Sequence, residues 1–483
     1  MKCCIVMAVL TLPITMCQSS QAPPRSPFDP NRDSFPALLR SKSFVDKSAF
    51  VNLFFESMEY SDYTMYVTAP RGFGKTSIMN MLKTFCQVQV DADGTPLDRN
   101  STSNRKLLSD HKLGVMKDEK FLFKYFGLYP VVHFRFDRLD VGRGYSDFIK
   151  SFQEVLSEAY LEHSYLADSS RLDACQRSDY TRVAAKNESG WLTQRGKDLT
   201  HLLHSHLDRR SIVLVDDFDA PLRQMLGDRR LAADDVEKIH DFLKGFVVNL
   251  VKVNFFHHKS LITASARLIP PDVNSRVTEA NSLLTVNFAE NPKIAACYGF
   301  TEGDVLELAK RYGKEAEMSQ IREWYGGYPV QDSNMTLYNM ISILKYFETG
   351  KLQTHWKDAG QVQQLLRPFF AEGLLKTDIE GSLTTNNTKM KVVDGPYSFN
   401  SRNIRILKNA LENPTKAEKN VYVKNLLLKY LLDHGYFHVK EKVVFKGYIE
   451  TVIPTYEVRK RLVQYLDENS DQKSAEEKQW WFV

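Results

Sequence analysis

The sequence is poor in the features that define disulfide-bonded, zinc-binding and membrane-spanning proteins. It has six cysteines among 483 residues, and Cys3, Cys4 and Cys17 fall within the first 22 positions. The three others allow one internal disulfide at most, which excludes a disulfide scaffold. The histidines have no frame of cysteines or carboxylates around them, which argues against a zinc-type site. Beyond the N terminus, no segment approaches the roughly 20 uncharged residues that a membrane-spanning helix needs.

The sequence also has little excess of either charge. The formal net charge is +5 at pH 7, and basic and acidic residues are interspersed, so the composition does not favour a nucleic-acid or membrane-surface partner. Hydrophobic residues make up 43% and charged residues 25% of the chain, which is an ordinary globular balance. The length suffices for two or three domains.

The first 22 residues have the pattern of a secretory signal. Lys2 precedes an apolar stretch that runs to about Met16, and Ser20 and Ala22 provide small residues where a signal peptidase cleaves. The alternative is a buried N-terminal strand or helix, but residues 23–40 begin with a proline-rich stretch that is typical of a linker. We therefore expect a secreted or lumenal protein, and a cytoplasmic one if the signal is not used.

Residues 69–76 read Ala-Pro-Arg-Gly-Phe-Gly-Lys-Thr, which is the pattern of a loop that wraps a phosphate chain. In such a loop backbone N–H groups bind the phosphates, the lysine reaches the outer phosphates and the next hydroxyl ligates Mg²⁺. Ala69 stands where the pattern has Gly, at little cost if its φ is negative. The alternative is an ordinary helix start. The predicted nucleotide-binding residues are Arg71, Gly72, Phe73, Gly74, Lys75, Thr76 and Ser77.

A second motif lies some 140 positions further on, where the apolar run 211–215 ends in Asp216 and Asp217. The run predicts a buried strand, and Asp216 together with Thr76 is the predicted ligand pair for Mg²⁺. Any parallel strand can end in acids. The two motifs in this order nevertheless indicate a site for ATP and Mg²⁺.

Strand-like runs alternate with amphipathic helical patterns, which predicts an α/β fold with a parallel sheet flanked by helices. The polar stretches 91–120 and 167–189 are predicted to be surface insertions. After residue 290 the periodicity is mainly helical, and short strand-like runs follow a helical pattern at 417–434. The predicted strands are Thr64–Thr68, Val131–Phe136, Ser211–Val215, Leu261–Ala264 and Leu283–Phe288.

With these motifs, the chain resembles the AAA-ATPase-like family of P-loop NTPases, which usually carry a C-terminal nuclease-like domain. The resemblance implies a P-loop NTPase fold that binds and hydrolyses ATP. Too few residues follow Arg459 to form the nuclease-like domain, so we expect no nuclease activity. The segments that carry the resemblance are Phe44–Ser48, Pro70–Thr76, Asn104–Leu108, Tyr129–Val132, Asp216–Leu222, Thr263–Arg267, Trp324–Tyr328 and Leu337–Asn339, and Ile453–Arg459 resembles the linker that precedes the nuclease-like domain.

Trp324, Tyr325 and Tyr328 could stack on a base, although aromatics at this spacing are more typical of core packing.

On the basis of the resemblance and the composition, the chain divides into six segments. The predicted segments are a signal peptide at 1–22, a linker at 23–40, a P-loop ATPase-like domain at 41–290, a helical region at 291–360, a C-terminal α+β region at 361–467 and a charged tail at 468–483.

The resemblance also implies catalytic roles. Asp217 is the candidate that orients or deprotonates the attacking water, but it is one methylene shorter than the Glu usual in the family. Thr263 is expected to contact the γ-phosphate or the water, and Arg267 to stabilise transferred charge. The alternatives are a strand-end hydroxyl and a surface salt bridge. Asp219 is expected to cap the next turn rather than to touch substrate.

Two functions fit the sequence. The first is a slow Mg²⁺-dependent ATPase, and the second is a degenerate P-loop fold that serves as a binding module for a protein partner. Ala69, Asp217 and the predicted secretory address favour the second function. The sequence specifies neither the partner nor the oligomeric state, and it carries no motif that reads a nucleobase.

Overall fold

A central parallel sheet organises the first half of the molecule. The computed structural model describes residues 34–56, 63–188, 190–228, 231–266, 282–356, 362–371, 373–384, 392–393, 400–445 and 448–469. Among these, five strands pair in the order β2-β3-β4-β1-β5, and every pairing is parallel. All five predicted strands are confirmed to within a few residues. They are β1 Tyr63–Thr68, β2 Val131–Arg135, β3 Ser211–Asp216, β4 His257–Ala264 and β5 Ser282–Asn287.

Helices cover both faces of this sheet, as expected when the connections between parallel strands cross over. Strands β1 and β3 are buried along their whole length; in β3, Ile212 to Val215 have no exposed surface. The helices up to β5 are α1 Phe35–Leu39, α2 Ala49–Glu56, α3 Lys75–Cys86, α4 Ser103–Asp110, α5 Glu119–Tyr125, α6 Tyr145–Leu161, α7 Ala174–Ala184, α8 Leu192–Leu207, α9 Ala220–Gly227 and α10 Ala233–Val247.

The two polar stretches contain helices that the sequence analysis did not predict. Helix α4 and the start of α5 lie within 91–120, and α7 lies within 167–189. Helix α7 begins with a capping box, in which Asp173 accepts from the Gln176 N–H and the Gln176 side chain accepts from the Asp173 N–H. Only Tyr180 and Val183 of α7 are buried, so its hydrophobic pattern is too sparse to predict a helix.

The chain after β5 is mainly helical, as predicted, with two small antiparallel sheets in the orders β6-β8-β7 and β10-β11-β9. The first of these sheets was not predicted. The strands are β6 Phe300–Thr301, β7 Gly326–Pro329, β8 Thr336–Tyr338, β9 Val392–Val393, β10 His438–Phe445 and β11 Tyr448–Val452. The helices are α11 Pro292–Ala295, α12 Glu302–Tyr312, α13 Met318–Tyr325, α14 Met340–Thr349, α15 Val362–Ala371, α16 Leu374–Thr384, α17 Ser401–Glu412, α18 Pro414–Ala417, α19 Val421–Asp433 and α20 Tyr456–Asn469.

The C-terminal helices share one hydrophobic core with the parallel sheet. Tyr66 of β1, Leu407 of α17, Leu431 of α19 and Leu462 of α20 all belong to this core and are at most 2% exposed. A polar contact joins the same regions, because the buried Lys408 of α17 donates to the carbonyls of Met225 and Asp228 at the end of α9. The region after residue 360 therefore packs directly against the helix that follows β3.

Several features predicted from the sequence lie outside the described residues. These are the signal peptide, the first part of the linker and most of the charged tail. The free cysteines Cys86, Cys175 and Cys297 form no disulfide. Among the helices that the structure describes, none combines the length and apolar character that crossing a bilayer requires.

Replacing Glu457 with glutamine is expected to flatten the dependence of stability on pH. Glu457 is 2% exposed, and its carboxylate accepts from the N–H groups of His355 and Trp356 at 2.6 Å each. Burial outweighs these bonds and raises the pKa of Glu457 to about 7. Since the folded-state pKa lies above the unfolded one, Glu457 contributes stability at low pH, and that contribution is lost as the pH rises through 7.

The loss amounts to about 3 kcal/mol between pH 4.5 and 7.5. Urea unfolding at these two pH values gives the change in the free energy of unfolding. This change should be larger in the wild type than in Glu457→Gln by that amount. The exposed Glu315, changed to Gln, provides the control, since its profile should follow that of the wild type. Parallel profiles for the wild type and Glu457→Gln would contradict the prediction.

Candidate nucleotide-binding site

The loop between β1 and α3 turns on two glycines. Gly72 and Gly74 have φ of 87° and 83°, a left-handed conformation that costs a residue with a side chain about 1 kcal/mol or more. Ala69 is not among the described residues with positive φ, and its N–H donates to the Ala264 carbonyl at 3.0 Å. The first position of the loop therefore accepts alanine without backbone strain.

Lys75 begins α3, and its side chain folds back into the loop. The ammonium donates to the carbonyls of Ala69 at 2.8 Å and Pro70 at 3.2 Å, and to the Ser265 hydroxyl at 3.2 Å. Burial lowers the pKa of Lys75, while Asp217 and Asp219 oppose that shift. These contacts hold a cation at the centre of the loop.

Asp216 lies at the end of β3 and faces two hydroxyl groups. The Thr263 hydroxyl donates to the Asp216 carboxylate at 2.6 Å, and the Thr76 hydroxyl is near enough to lower the pKa of that carboxyl. Burial, with a smaller contribution from Asp217, raises the pKa of Asp216 to about 6. The carboxylate is thus short of compensating positive charge.

Thr76 and Asp216 form a donor set that fits Mg²⁺. Both offer oxygen, and Mg²⁺ in nucleotide sites takes one or two protein oxygens and completes its shell with phosphate and water. Among the described residues, no group of three or more His, Cys, Asp and Glu is arranged to hold a metal ion, so a metal cage made of protein ligands alone is not found in this part of the chain. Thr76 and Asp216 instead suit a Mg²⁺ ion whose remaining ligands are phosphate and water oxygens.

The strand order explains how these groups converge. Since β4 lies between β1 and β3, its C-terminal end separates the phosphate loop from the acids. Thr263 contacts Asp216 on one side, and Ser265 contacts Lys75 on the other. The carboxyl ends of parallel strands meet at one edge of a sheet, which is where α/β proteins bind ligands.

Asp217 belongs to a network of ion pairs with Arg223 and Asp219. The Arg223 guanidinium lies 2.7 Å from a carboxylate oxygen of Asp217 and 2.7 Å from one of Asp219. Asp217 has a φ of 57°, a conformation that Asp adopts more readily than most residues. The predicted water-activating acid is therefore held by a cation.

Asp219 occupies the N-cap position of α9, but its side chain makes no cap hydrogen bond. The carboxylate instead accepts from the N–H groups of Ser265 and Ala266, both at 3.0 Å. Burial raises the pKa of Asp219, but Arg223, His434, the Ser265 N–H and Lys75 together outweigh burial and hold the pKa below its ordinary value. Asp219 thus fixes the end of β4 against the start of α9.

The remaining predicted residues have different surroundings. Arg71 is exposed and Ser77 is half-buried, whereas the Phe73 ring is fully buried against Phe288 and Tyr328. Only the backbone of Phe73 is therefore placed to bind a ligand. Arg267 lies outside the described residues, so its role stays a prediction. The contact with Phe73 supports core packing, rather than base stacking, for Tyr328.

The sequence analysis missed two residues of the site. Arg223 follows Asp219 by four positions on α9, and this spacing is the signal that could have identified the pair. Asn339, which contacts the loop from the start of α14, belongs to the Leu337–Asn339 segment that carries the resemblance, but the resemblance assigned it no role at the site. Its bond to the Arg71 carbonyl joins residues 268 positions apart.

The comparison with known protein families agrees with this geometry. Residues 33–267 match a family model named AAA-ATPase_like and described as Predicted AAA-ATPase. The match includes the phosphate loop, Asp216, Asp217 and Thr263. No curated protein matches the chain.

Proposed function

We propose that this chain, whose residues 33–267 belong to the AAA-ATPase-like family, binds ATP together with Mg²⁺ and hydrolyses it slowly. The observation that carries the proposal is the convergence of Lys75, Thr76, Asp216 and Thr263 at one edge of the sheet. Family membership supports nucleotide binding. The hydrolysis and the metal are inferred from the four side chains.

In this proposal the loop N–H groups and Lys75 bind the phosphates. The Lys75 ammonium then exchanges its bonds to the Ala69 and Pro70 carbonyls for bonds to phosphate oxygens, which keeps the buried cation paired. Thr76 and Asp216 would hold Mg²⁺, whose charge offsets that of the phosphates. Thr263 keeps the Asp216 carboxylate oriented through its hydrogen bond.

Asp217 is the general base for hydrolysis in this proposal. It accepts a proton from the water that attacks the γ-phosphorus, provided that its carboxylate is turned away from Arg223. The ion pair with Arg223 and the short side chain both oppose this role, since a misplacement of about 1 Å can cost on the order of 100-fold in rate. Slow turnover is the expected consequence.

The second candidate function is a binding module without turnover. The same ion pair favours it, because a carboxylate held by Arg223 is a poor base. The predicted secretory address favours it as well, since ATP is scarce outside the cell. In this alternative the nucleotide, where it binds, serves to order the fold for a protein partner.

Removing either acid is expected to abolish phosphate release while affecting binding differently. Asp217→Ala should lose turnover and keep MgATP affinity, because Asp217 does not contact the nucleotide or Mg²⁺ in the proposed geometry. Asp216→Ala should lose both turnover and the Mg²⁺ dependence of binding. Phosphate release under excess MgATP, and ATP titration with and without Mg²⁺, measure the two effects.

Asp217→Glu provides the companion measurement. A rise in rate would locate the defect in the reach of the acid, although Glu tolerates the left-handed backbone at this position less well than Asp. If the wild type binds MgATP and releases no phosphate, the binding module is the correct function. If the wild type does not bind ATP at all, the proposed ATPase function fails.

A further inference from the structure

The outer side of the phosphate loop is covered by the N-terminus of α14. The Asn339 amide donates to the Arg71 carbonyl at 2.8 Å, and the Met340 N–H donates to the Gly72 carbonyl at 2.9 Å. Asn339 lies between β8 and α14, far beyond the part of the chain that matches the family model. A helix of the C-terminal half therefore holds two consecutive carbonyls of the loop.

These two bonds fix the direction in which the loop presents its N–H groups. In a trans peptide the C=O and the following N–H point in opposite directions, and the described residues contain no cis peptide bond. Holding the Arg71 carbonyl outward directs the Gly72 N–H toward the inside of the loop. Holding the Gly72 carbonyl does the same for the Phe73 N–H.

The approach is too close for side chains at the two glycines. A Cβ atom on Gly72 would lie 2.5 Å from the Asn339 carboxamide oxygen, and one on Gly74 would lie 2.8 Å from the Met340 sulfur. The glycines thus meet two requirements, the left-handed backbone and the contact with α14. Any rearrangement of the loop must move α14 or break this contact.

Asn339 is chemically suited to both of its contacts. Its carboxamide oxygen caps α14 by accepting from the N–H groups of Ile341 at 3.0 Å and Ser342 at 3.3 Å, while its NH₂ group donates to the loop. Aspartate caps a helix as well as asparagine does, but it has no donor for the Arg71 carbonyl. Substitution by aspartate therefore separates the two roles.

Helix α14 is itself firmly anchored. Ile343, Tyr346 and Phe347 pack in a hydrophobic cluster with residues of α12 and α13, so α14 is part of a larger packed unit. If the phosphate loop becomes more or less ordered, the packing of α14 against α12 and α13 should therefore change as well.

We propose that Asn339 is a positioning residue for nucleotide binding, which aims the loop N–H groups at the phosphates and couples occupancy of the loop to the order of α14. The inference rests on the proposed function, since it presumes that the loop binds a nucleotide. It adds a role for the helical region that follows the sheet. Asn339 itself does not touch the nucleotide.

The test compares Asn339→Asp with the wild type and with Asn420→Asp. Asn420 caps α19 through the same pair of bonds, to the N–H groups of Tyr422 and Val423, and gives the matched control. Because Asn339 is 3% exposed and Asn420 is exposed, Asn339→Asp should melt below Asn420→Asp without nucleotide. Binding is measured at a temperature at which melting curves show both variants folded. The MgATP affinity of Asn339→Asp should fall by roughly tenfold, from the lost hydrogen bond and the added negative charge, while Asn420→Asp binds as the wild type does.

Hydrogen exchange on the wild type provides a second readout that does not depend on the folding of a variant. A nonhydrolysable ATP analogue with Mg²⁺ should slow exchange at residues 340–344, and Lys75→Ala protein should show no such protection. If the wild type binds the analogue and exchange at 340–344 is unchanged, or if Asn339→Asp binds with wild-type affinity, the inference is overturned and the proposed function stands. If the wild type does not bind, the proposed function itself has failed.

Discussion

Lys75→Ala is expected to lose ATP binding almost completely. The side chain places a cation, 8% exposed, among the Ala69 carbonyl, the Pro70 carbonyl and the Ser265 hydroxyl. Removing one partner of a buried charge contact costs about 2–5 kcal/mol, which corresponds to roughly 30- to 5000-fold in affinity. Titration calorimetry with MgATP measures the change.

Lys83→Ala is the matched control for this experiment. Lys83 lies on the same helix, and its ammonium pairs with Glu162 at 2.7 Å near the surface. Its removal should leave affinity within about twofold, because surface ion pairs contribute little. Equal binding by Lys75→Ala and the wild type would reject the assignment of the site, and melting curves without nucleotide confirm that both variants are folded.

Arg223→Met is expected to destabilise the protein by about 3–5 kcal/mol, because it leaves the buried Asp219 carboxylate and the partly buried Asp217 carboxylate without their cation. Asp219 has no exposed surface and lies 2.7 Å from the guanidinium, as does Asp217. The loss comes from the uncompensated charge rather than from the ion pair alone. Urea unfolding at pH 7.5 measures the difference.

Adding Asp219→Asn to Arg223→Met should recover much of the loss, since the asparagine carbonyl can still accept from a backbone N–H. Arg138→Met serves as control, because the Arg138–Glu158 pair is about half exposed and should contribute roughly 0–1 kcal/mol. The prediction is contradicted if Arg223→Met and Arg138→Met lose the same stability. It is equally contradicted if the double variant is no more stable than Arg223→Met.

The parts of the fold that sequence predicted well are those whose signal is local and repeated. The run ending in Asp216 is continuously apolar because β3 is covered on both faces. The strands that were missed are very short: β6 has two residues, and β7 begins with two glycines. Such segments become strands through pairing with β8, which is a long-range contact that no local pattern records.

The residues of the candidate site also fall into those that a local pattern predicts and those that it does not. The phosphate loop and Asp216 were identified because their spacing is fixed by the chemistry of phosphate binding. The role of Arg223 depends on the backbone turn at Asp217, and that of Asn339 depends on how α14 meets the loop. Both roles depend on tertiary packing. The sequence determines that packing, but no local sequence pattern reveals it.

The shared core described above has a practical consequence for experiments on the region that matches the family. A fragment truncated near residue 290 would lack Leu407, Leu431 and Leu462, which are buried with Tyr66. The uncovered apolar surface would favour aggregation, and the end of α9 would lose the Lys408 contact to its carbonyls. Biochemical work on nucleotide binding is therefore best done on the uncut polypeptide.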